Sequence, residues 1–545
     1  MQSKGRALIF YSLLLVGCSP RYNNVAPVVP PKDAPQSALG ERLFRDFRFS
    51  KFFVEHSAGD SNQVLAGGDP RLDSVTSGRR GTLANPFAGQ AMSCVACHMV
   101  GDAEKFNKQG MRAYTDFASR SSIPALGTDS LVSTPRNTPT LLGALSPRNN
   151  FLLHYDGEFT TIEDLILGSY TGRNFGWLPG EEAIAKANFI KVIREDNGQS
   201  LLAQSFGRVS YKALFQGTDP SIPNNFKIPE EYRLDLATAT DQQVIDRAVN
   251  LVKVYLEALQ FAQDAEGHFV GSPWDQFLIA NRLPNHPDDG ELDVDYAARL
   301  SLGLQGLSKP KYIEDFDEKE FTGAKIFLAR STTTSAQGAG FFQVGNCVAC
   351  HAPPSFTDFK FHNTGATQDE YDAIHGAGAF ELMSIPNYLT RTASPNLYLP
   401  ATGGHPTANS RFRAPPSVEH PERTDLGAWN IFTNPDFPVP QAILSQLFCT
   451  DGACATPTDT EEALTRSLAA FKTPGLRLLG MSDPYLHGGT QTTIPDLMRF
   501  YQRMSVLARA GRLRNPDPEI EKIKIDKSGA DALTAFLNSL NEEYD

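Results

Sequence analysis

The chain lacks three features that would point to other classes of protein. No stretch alternates apolar and polar residues over a sustained length, so a mainly α fold with long irregular loops is predicted. Basic residues are outnumbered, 50 against 62 acidic ones, and the net charge of −12 argues against nucleic acid and anionic membrane surfaces as partners. Cysteine and histidine are scarce, with seven and eleven among 545 residues, so a repeated pattern that combines them is improbable by chance.

One such pattern is present twice. The pentapeptide Cys-x-x-Cys-His supplies Cys94, Cys97 and His98 in one copy, and Cys347, Cys350 and His351 in the other. Two thiols at this spacing add to the two vinyl groups of a haem, and the next histidine reaches the iron. A redox dithiol or half a zinc site would leave the trailing histidine without a role in both copies. The sequence therefore predicts two covalently bound haem c groups.

The N-terminal segment predicts export. A short basic region precedes an apolar run from Ala7 to Val16 that is too short to span a bilayer. The run ends in Leu-Val-Gly-Cys-Ser, which resembles the lipobox of bacterial lipoproteins and makes Cys18 the lipidated residue. An ordinary secretory signal with an incidental cysteine is the alternative. We predict a signal peptide over residues 1–17, a Pro-rich tether over 18–36, and a location in the periplasm or at the outer membrane or cell surface.

The two cysteines that remain are Cys449 and Cys454, five residues apart around a glycine-containing turn. In an oxidising compartment we expect them to form a local disulfide with a structural role.

Helical spacing of apolar residues predicts helices over residues 38–46, 160–167, 241–262, 319–330, 461–471, 493–510 and 528–540. The first and fourth of these each precede a haem motif, which suggests a weak internal repeat. Gly271, Ser272 and Pro273 break the pattern, so we predict an N-terminal haem domain over 37–270 and a C-terminal one over 271–545. Residues 365–440, rich in Pro, Gly, Asn and Thr, are expected to be mostly irregular surface.

The order of further motifs resembles the bacterial di-haem cytochrome c peroxidase and MauG family. These motifs are Leu39-Gly40-x-x-Leu43-Phe44, Arg136 to Thr140, Tyr155-Asp156-Gly157, Phe356 to Gly365, Phe471 to Arg477, and Pro484 to Gly489. The resemblance spans roughly residues 38 to 540. It implies two cytochrome c-like domains, with a first, peroxidatic haem that binds hydrogen peroxide and a second, electron-transfer haem. His98 and His351 would be the proximal iron ligands.

The distal ligands depart from the family. Tyr114 to Arg136 contains no histidine, whereas many members carry one there, so we expect the first haem to be open to peroxide without reductive activation. On the second haem, Tyr501 stands where the peroxidases have a methionine, and MauG-like members are similar in placing a tyrosine there. Met498 and Met504 are alternative ligands within one turn, and the whole stripe is also consistent with ordinary core packing.

Further site residues follow from the resemblance. Tyr155 occupies the position of an aromatic electron relay between the haems, although a merely packed tyrosine fits the sequence as well. Glu181 and Glu182 are the candidates for the acid that moves a proton between the peroxide oxygens. Asn137 resembles a position that helps to hold a calcium ion between the domains.

The resemblance implies reduction of hydrogen peroxide with electrons from a small donor protein, a cytochrome c or a cupredoxin. The first alternative is MauG-like, peroxide-dependent oxidation of aromatic residues in a partner protein. A non-enzymatic electron-transfer cytochrome and an oxygenase that acts on an external polymer are the others.

Overall fold

A computed structural model describes residues 34–65, 76–77, 81–82, 93–102, 112–116, 134–146, 148, 151–331, 343–452 and 454–542. The predicted signal peptide, Cys18 and almost all of the tether lie outside these ranges. So do residues 117–133, which make up most of the stretch without histidine.

Helices dominate the described residues. In the first half they are α1 Pro35–Arg45, α2 Lys51–His56, α3 Cys94–Cys97, α4 Ile162–Thr171, α5 Glu182–Glu195, α6 Leu201–Ser205, α7 Tyr211–Gln216 and α8 Asp241–Glu257. In the second half they are α9 Pro273–Ala280, α10 Asp293–Gly306, α11 Glu318–Leu328, α12 Ala366–His375, α13 Ala379–Leu382, α14 Tyr388–Ala393, α15 Pro395–Tyr398, α16 Gln441–Phe448, α17 Pro457–Arg466, α18 Ile494–Arg509 and α19 Lys527–Asn538.

Strands are few and short in the same ranges. They form three antiparallel pairs: β1 Thr76–Ser77 with β2 Gly81–Thr82, β3 His98–Asp102 with β4 Arg112–Asp116, and β5 Phe361–His362 with β6 Phe471–Lys472. The predicted mainly α class is confirmed. Within the described chain, every helix is too short or too polar to cross a bilayer.

The predicted helices begin where local capping chemistry directs them to. Thr161 caps α4 by accepting a hydrogen bond from the backbone N–H of Asp164, as the sequence indicated. Thr240 and Gln243 form a reciprocal capping box at the start of α8. Ser272 caps α9, with Pro273 in its first turn, so the predicted break is the start of a new helix.

The internal repeat has a packing reason. In the first half α1 packs on α8, and in the second half α11 packs on α19. A side chain at Gly40 would place its Cβ 2.0 Å from the carbonyl oxygen of Leu251, and one at Gly323 would lie 2.1 Å from that of Ala532. Each helix that precedes a haem motif therefore needs a glycine where it crosses its partner.

Three large clusters of buried apolar side chains form the core of the described regions, beside a small fourth one of Phe47, Phe53 and Leu65. The first draws on residues 39–261 with Leu478, and the second on residues 274–540. Neither cluster tests the proposed domain limits, which stay a prediction.

The third cluster corrects one part of the expectation for residues 365–440, since most of the segment is irregular, as predicted, but it contributes to the core rather than lying only on the surface. This segment forms four short helices, α12 to α15, and buries Phe380, Phe412, Trp429 and Phe432. Burying large aromatic side chains offsets the low helix propensity of a segment rich in Pro, Gly, Asn and Thr. The predicted disulfide between Cys449 and Cys454 is present at the edge of this cluster.

Candidate di-haem site

A single cavity of about 820 Å³ reaches both haem motifs. Its lining includes Cys97 and His98 of the first motif, and Cys347, Cys350 and His351 of the second. We call it the shared cavity. Its existence shows that the fold brings together two pentapeptides that are remote in sequence.

The second motif is held by a tight turn. Asn346 adopts a left-handed conformation with φ 53° and leads into a 3-10 turn over Cys347–Ala349. The Nδ1 atom of His351 lies 2.9 Å from the carbonyl oxygen of Phe356, which requires that Nδ1 carry the proton. The Nε2 atom is then the basic nitrogen, as an iron ligand must be.

The first motif follows the same plan. The short helix α3 holds the two thiols, and His98 follows it directly. Burial and the nearby His154 lower the pKa of His98 to about 3, against the opposing effect of a hydrogen bond to the carbonyl of Pro139. A metal is bound by a neutral imidazole, of which one nitrogen donates a hydrogen bond to a carbonyl and the other nitrogen is the ligand.

The thiols do not behave as a redox pair. All four are free, although Cys449 and Cys454 are joined. Burial raises the pKa of Cys94 to about 12, and likewise that of Cys347. The nucleophilic cysteine of a Cys-x-x-Cys oxidoreductase has a lowered pKa instead, so the raised pKa of these thiols argues against a redox dithiol.

The Arg-Asn-Thr-Pro-Thr segment connects the two halves of the molecule. Arg136 forms two hydrogen bonds with Asp425 and an ion pair with Asp156 at 2.6 Å. The backbone N–H of Asn137 donates to the carbonyl of His487 at 2.6 Å. Pro139 in the same segment accepts a hydrogen bond from His98. The segment therefore links His98 to the motif from Pro484 to Gly489, which contains His487.

Tyr155 lies at the junction between the two sites. Its backbone carbonyl accepts a hydrogen bond of 2.8 Å from the N–H of Lys472 in β6, and β6 pairs with β5 after the second motif. Tyr155 also lines the shared cavity. This position suits the predicted relay, whose role stays a prediction.

A buried ion-pair network surrounds the Tyr-Asp-Gly motif. Arg413 pairs with both Asp156 and Glu158, and Glu158 also contacts Nδ1 of His154 at 3.0 Å. Although burial alone would raise the pKa of Glu158, Arg413 and His154 hold it well below its usual range. His154, Asp156 and Glu158 lie close enough to hold a metal ion, but both carboxylates are already neutralised by guanidinium groups.

The candidates for the second distal ligand separate in space. Helix α18 directs Tyr501 and Met498 to the shared cavity. Met504 does not line the cavity. Its side chain is buried, with 1% of its surface exposed, and lies next to Gly365. Of the three candidates, the geometry favours Tyr501 and Met498.

The two adjacent glutamates have different surroundings. Glu181 accepts two hydrogen bonds from Lys51, at 2.9 and 3.0 Å, and one from the backbone N–H of Leu178. Glu182, at the start of α5, lines the shared cavity. Of the two glutamates, therefore, Glu182 and not Glu181 lines the cavity that the two motifs share.

His362 is a charged group beside the second site. Its ring nitrogens lie 2.9 Å from Asp358 and 2.5 Å from Asp517. Burial alone would lower the pKa of His362, but hydrogen bonds to Asp358, Asp517 and Cys350 raise it to about 12. A permanent imidazolium thus stands next to a haem-binding cysteine.

The position suggested for calcium offers one oxygen atom that could bind a metal ion. The amide nitrogen of Asn137 donates to the carbonyl of Pro484 at 2.6 Å, whereas its Oδ1 atom is buried without a hydrogen-bond partner among the described residues. Amide and carbonyl oxygens are ligands that Ca²⁺ accepts. A single free oxygen is far short of the roughly six to eight that Ca²⁺ takes, so the described residues do not by themselves form a calcium site, and the ion stays a prediction.

Comparison with known proteins agrees with this picture. No protein-family model matches the chain. Cytochrome-c peroxidase IdrP2 of Denitromonas iodatirespirans is 26% identical over 216 residues, which cover 39% of this chain. The resemblance to the bacterial di-haem peroxidases is confirmed. The match spans 41% of the length of that relative, so the activity of the whole protein is treated below as a proposal.

Two solved structures are similar over most of the chain. The diheme peroxidase BthA from Burkholderia thailandensis E264 is 16% identical with a TM-score of 0.39, covering 94% of this chain and 87% of its own. A MauG-like protein associated with microbial copper homeostasis is 16% identical with a TM-score of 0.42, covering 95% and 93%. Scores this low carry no further argument.

Proposed function

We propose that the protein is a di-haem c-type peroxidase that reduces hydrogen peroxide at the first haem, with electrons delivered through the second haem from a small redox protein. The observation that carries this proposal is the shared cavity, since one space is lined by His98, His351 and Tyr155. Two haems that face one cavity could act as a pair, which is what the proposed reaction requires.

The chain supplies ligation, positioning and proton movement. When bound, the first haem supplies the iron at which peroxide coordinates and its O–O bond is cleaved. His98 and His351 present a basic nitrogen each, because a backbone carbonyl holds the other nitrogen. Glu182 is the side chain that we assign to moving a proton from the inner to the outer peroxide oxygen.

Electron delivery would pass the Tyr155 segment. The backbone of Tyr155 is hydrogen-bonded to β6, so this segment bridges the regions around the two motifs. A tyrosine relay must lose its phenolic proton when it is oxidised.

A second candidate function is favoured by Tyr501, which lines the shared cavity. A phenolate ligand stabilises ferric iron and lowers the reduction potential, which makes the second haem a poor acceptor from ordinary donors. Such a protein would instead oxidise aromatic residues of a partner protein, as MauG-like proteins do.

Electron paramagnetic resonance of the resting ferric protein tests the proposal. We expect one high-spin and one low-spin haem, with peroxide consuming the high-spin signal. Two low-spin signals that peroxide leaves unchanged, even after half-reduction, would indicate an electron-transfer cytochrome and overturn it.

The matched variants Tyr501→Phe and Met498→Leu distinguish the two versions. A change of the low-spin signal in Tyr501→Phe alone supports the MauG-like version, whereas a change in Met498→Leu alone supports the simple peroxidase. If neither variant changes the signal, both ligand assignments are wrong.

We also propose that the protein is a lipoprotein of the bacterial cell envelope, anchored through Cys18. Fractionation tests this proposal, because Cys18→Ser should move the protein from the membrane to the soluble exported fraction. Retention of that variant in the membrane would contradict the anchor.

A further inference from the structure

Two cationic side chains line the shared cavity without a carboxylate of their own. The guanidinium of Arg148 lies between the rings of Phe151 and Phe359, 4.3 and 4.6 Å from their centroids. Its Nε and Nη2 atoms are buried and have no hydrogen-bond partner among the described residues. A buried guanidinium in this state is costly unless an acceptor reaches it.

Lys472 is the second cation. Within the described chain its ammonium donates to the carbonyl of Leu152 at 3.1 Å, a neutral acceptor. Burial and the repulsion from Arg148 lower the pKa of Lys472 to about 7, against the opposing attraction of Asp156. The two cations are therefore near enough to disfavour each other.

The neighbouring carboxylates are already engaged. Asp156 lies 2.6 Å from Arg136 and 3.1 Å from Arg413, and the latter also pairs with Glu158. When Lys472 is protonated, the cluster holds four cations against three carboxylates: Arg136, Arg148, Arg413 and Lys472 against Asp156, Glu158 and Asp425. The surplus positive charge lies at Arg148 and Lys472, where an anion from the cavity would balance it.

We propose that Arg148 and Lys472 together bind a carboxylate that enters from the shared cavity, namely a propionate of one of the two haems. The pair supplies guanidinium and ammonium donors from two different halves of the chain, and both groups line the cavity. The propionate then lies next to the Tyr155 segment, since the backbone of Lys472 is hydrogen-bonded to Tyr155. This inference rests on the haem binding proposed above.

The test compares holoprotein variants. Arg148→Met and Lys472→Met remove the charge and keep an apolar side chain, Lys472→Arg keeps the charge, and Lys527→Met is a control at a side chain that is 90% exposed. Covalent haem is counted first. Resonance Raman spectroscopy then reports the bending band of the haem propionates, and spectroelectrochemistry reports both reduction potentials.

We expect every variant to retain two haems. In Arg148→Met and Lys472→Met the propionate band of one haem should shift. The equilibrium constant for reduction of that haem should fall by about tenfold, which lowers its reduction potential by about 59 mV for one electron. Losing a nearby positive charge stabilises the ferric state. Lys472→Arg should keep the propionate band and the reduction potential at their wild-type values, and so should Lys527→Met.

Three results would overturn the inference. Unchanged propionate bands and potentials in both Met variants would remove any role toward a haem. In a second outcome, the propionate bands are unchanged in the variants, and added acetate shifts the reduction potential of the wild type but not that of the variants. That result would show that the pair binds a free anion instead of a propionate. A wild-type chain without covalent haem would overturn the proposed function and this inference with it.

Discussion

The two haem motifs share one pentapeptide pattern and even the Val-Ala spacer, yet their surroundings differ in chemistry. Beside the first motif lie a buried ion-pair network around Glu158 and the cavity-lining Glu182. Beside the second lie the imidazolium of His362 and the side chains that α18 directs to the cavity. We infer that the pentapeptide specifies attachment and the proximal ligand, whereas residues far away in sequence would specify what each haem does.

The largest effect is expected from removing one attachment site at a time. Cys94→Ser combined with Cys97→Ser should reduce the haem content from two to one, and so should Cys347→Ser combined with Cys350→Ser. The reason is that each haem is predicted to be held covalently by the two thiols of its own motif. Intact-mass spectrometry checks the count, and a chain that loses both haems in either variant would show that the two sites depend on each other.

Glu182→Gln should affect the first site alone. We expect peroxide turnover to fall by about 10²- to 10⁴-fold, the usual contribution of a positioned proton donor and acceptor. Glu181→Gln is the matched control, because Lys51 and the Leu178 N–H already engage that carboxylate. Steady-state kinetics measures both, and the reverse ranking would transfer the role to Glu181.

Asp425→Asn tests the link between the two regions. Arg136 would keep Asp156 but lose a buried partner, and we expect a destabilisation of about 3 kcal/mol. Urea unfolding of the holoprotein measures it. Asp531→Asn, which breaks a pair at the surface with Lys527, should leave the midpoint unchanged. Equal midpoints for the two variants would mean that the segment of Arg136 is not a structural link.

The smallest effect concerns the second site and depends on pH. The pKa of His362 is raised to about 12 from an ordinary 6.5, so its stabilisation is fully present below pH 6.5 and is lost as pH rises toward 12. The difference in unfolding free energy between wild type and His362→Gln should therefore shrink by up to about 1.4 kcal/mol per pH unit between pH 7 and 9.

Urea unfolding at several pH values measures this difference. Asp517→Asn removes one partner of His362 and lowers its folded-state pKa, so the loss of stability that begins near pH 6.5 should be complete at a lower pH than in the wild type. Parallel pH profiles for wild type and His362→Gln would show that His362 is not held charged.

Local signals explain what the sequence predicted well. The helices around Asp241 and Ser528, the cap at Thr161, and the disulfide depend on residues within a few positions of one another. The same is true of the hydrogen bond from His351 to Phe356, five residues apart.

The parts that could not be predicted depend on distant partners. Arg136 stands in a motif that was noticed, but its carboxylate partner Asp425 is 289 residues away. Arg148 and Lys472 gave no signal as single charged residues, because burial against the shared cavity is a property of the fold. Residues 365–440 misled in one respect for a related reason, since their composition correctly indicated irregular structure but could not show that their aromatic side chains are buried.

The contacts of the Arg-Asn-Thr-Pro-Thr segment have a consequence for the order of assembly. Asn137 and Pro484 are 347 residues apart in the chain. Contacts between such distant residues form late, because the entropy of closing the loop opposes them until much of the chain is ordered. Attaching a haem requires only the five residues of one motif. We therefore expect the haems to be installed on an open chain, with the two halves closing around them afterwards.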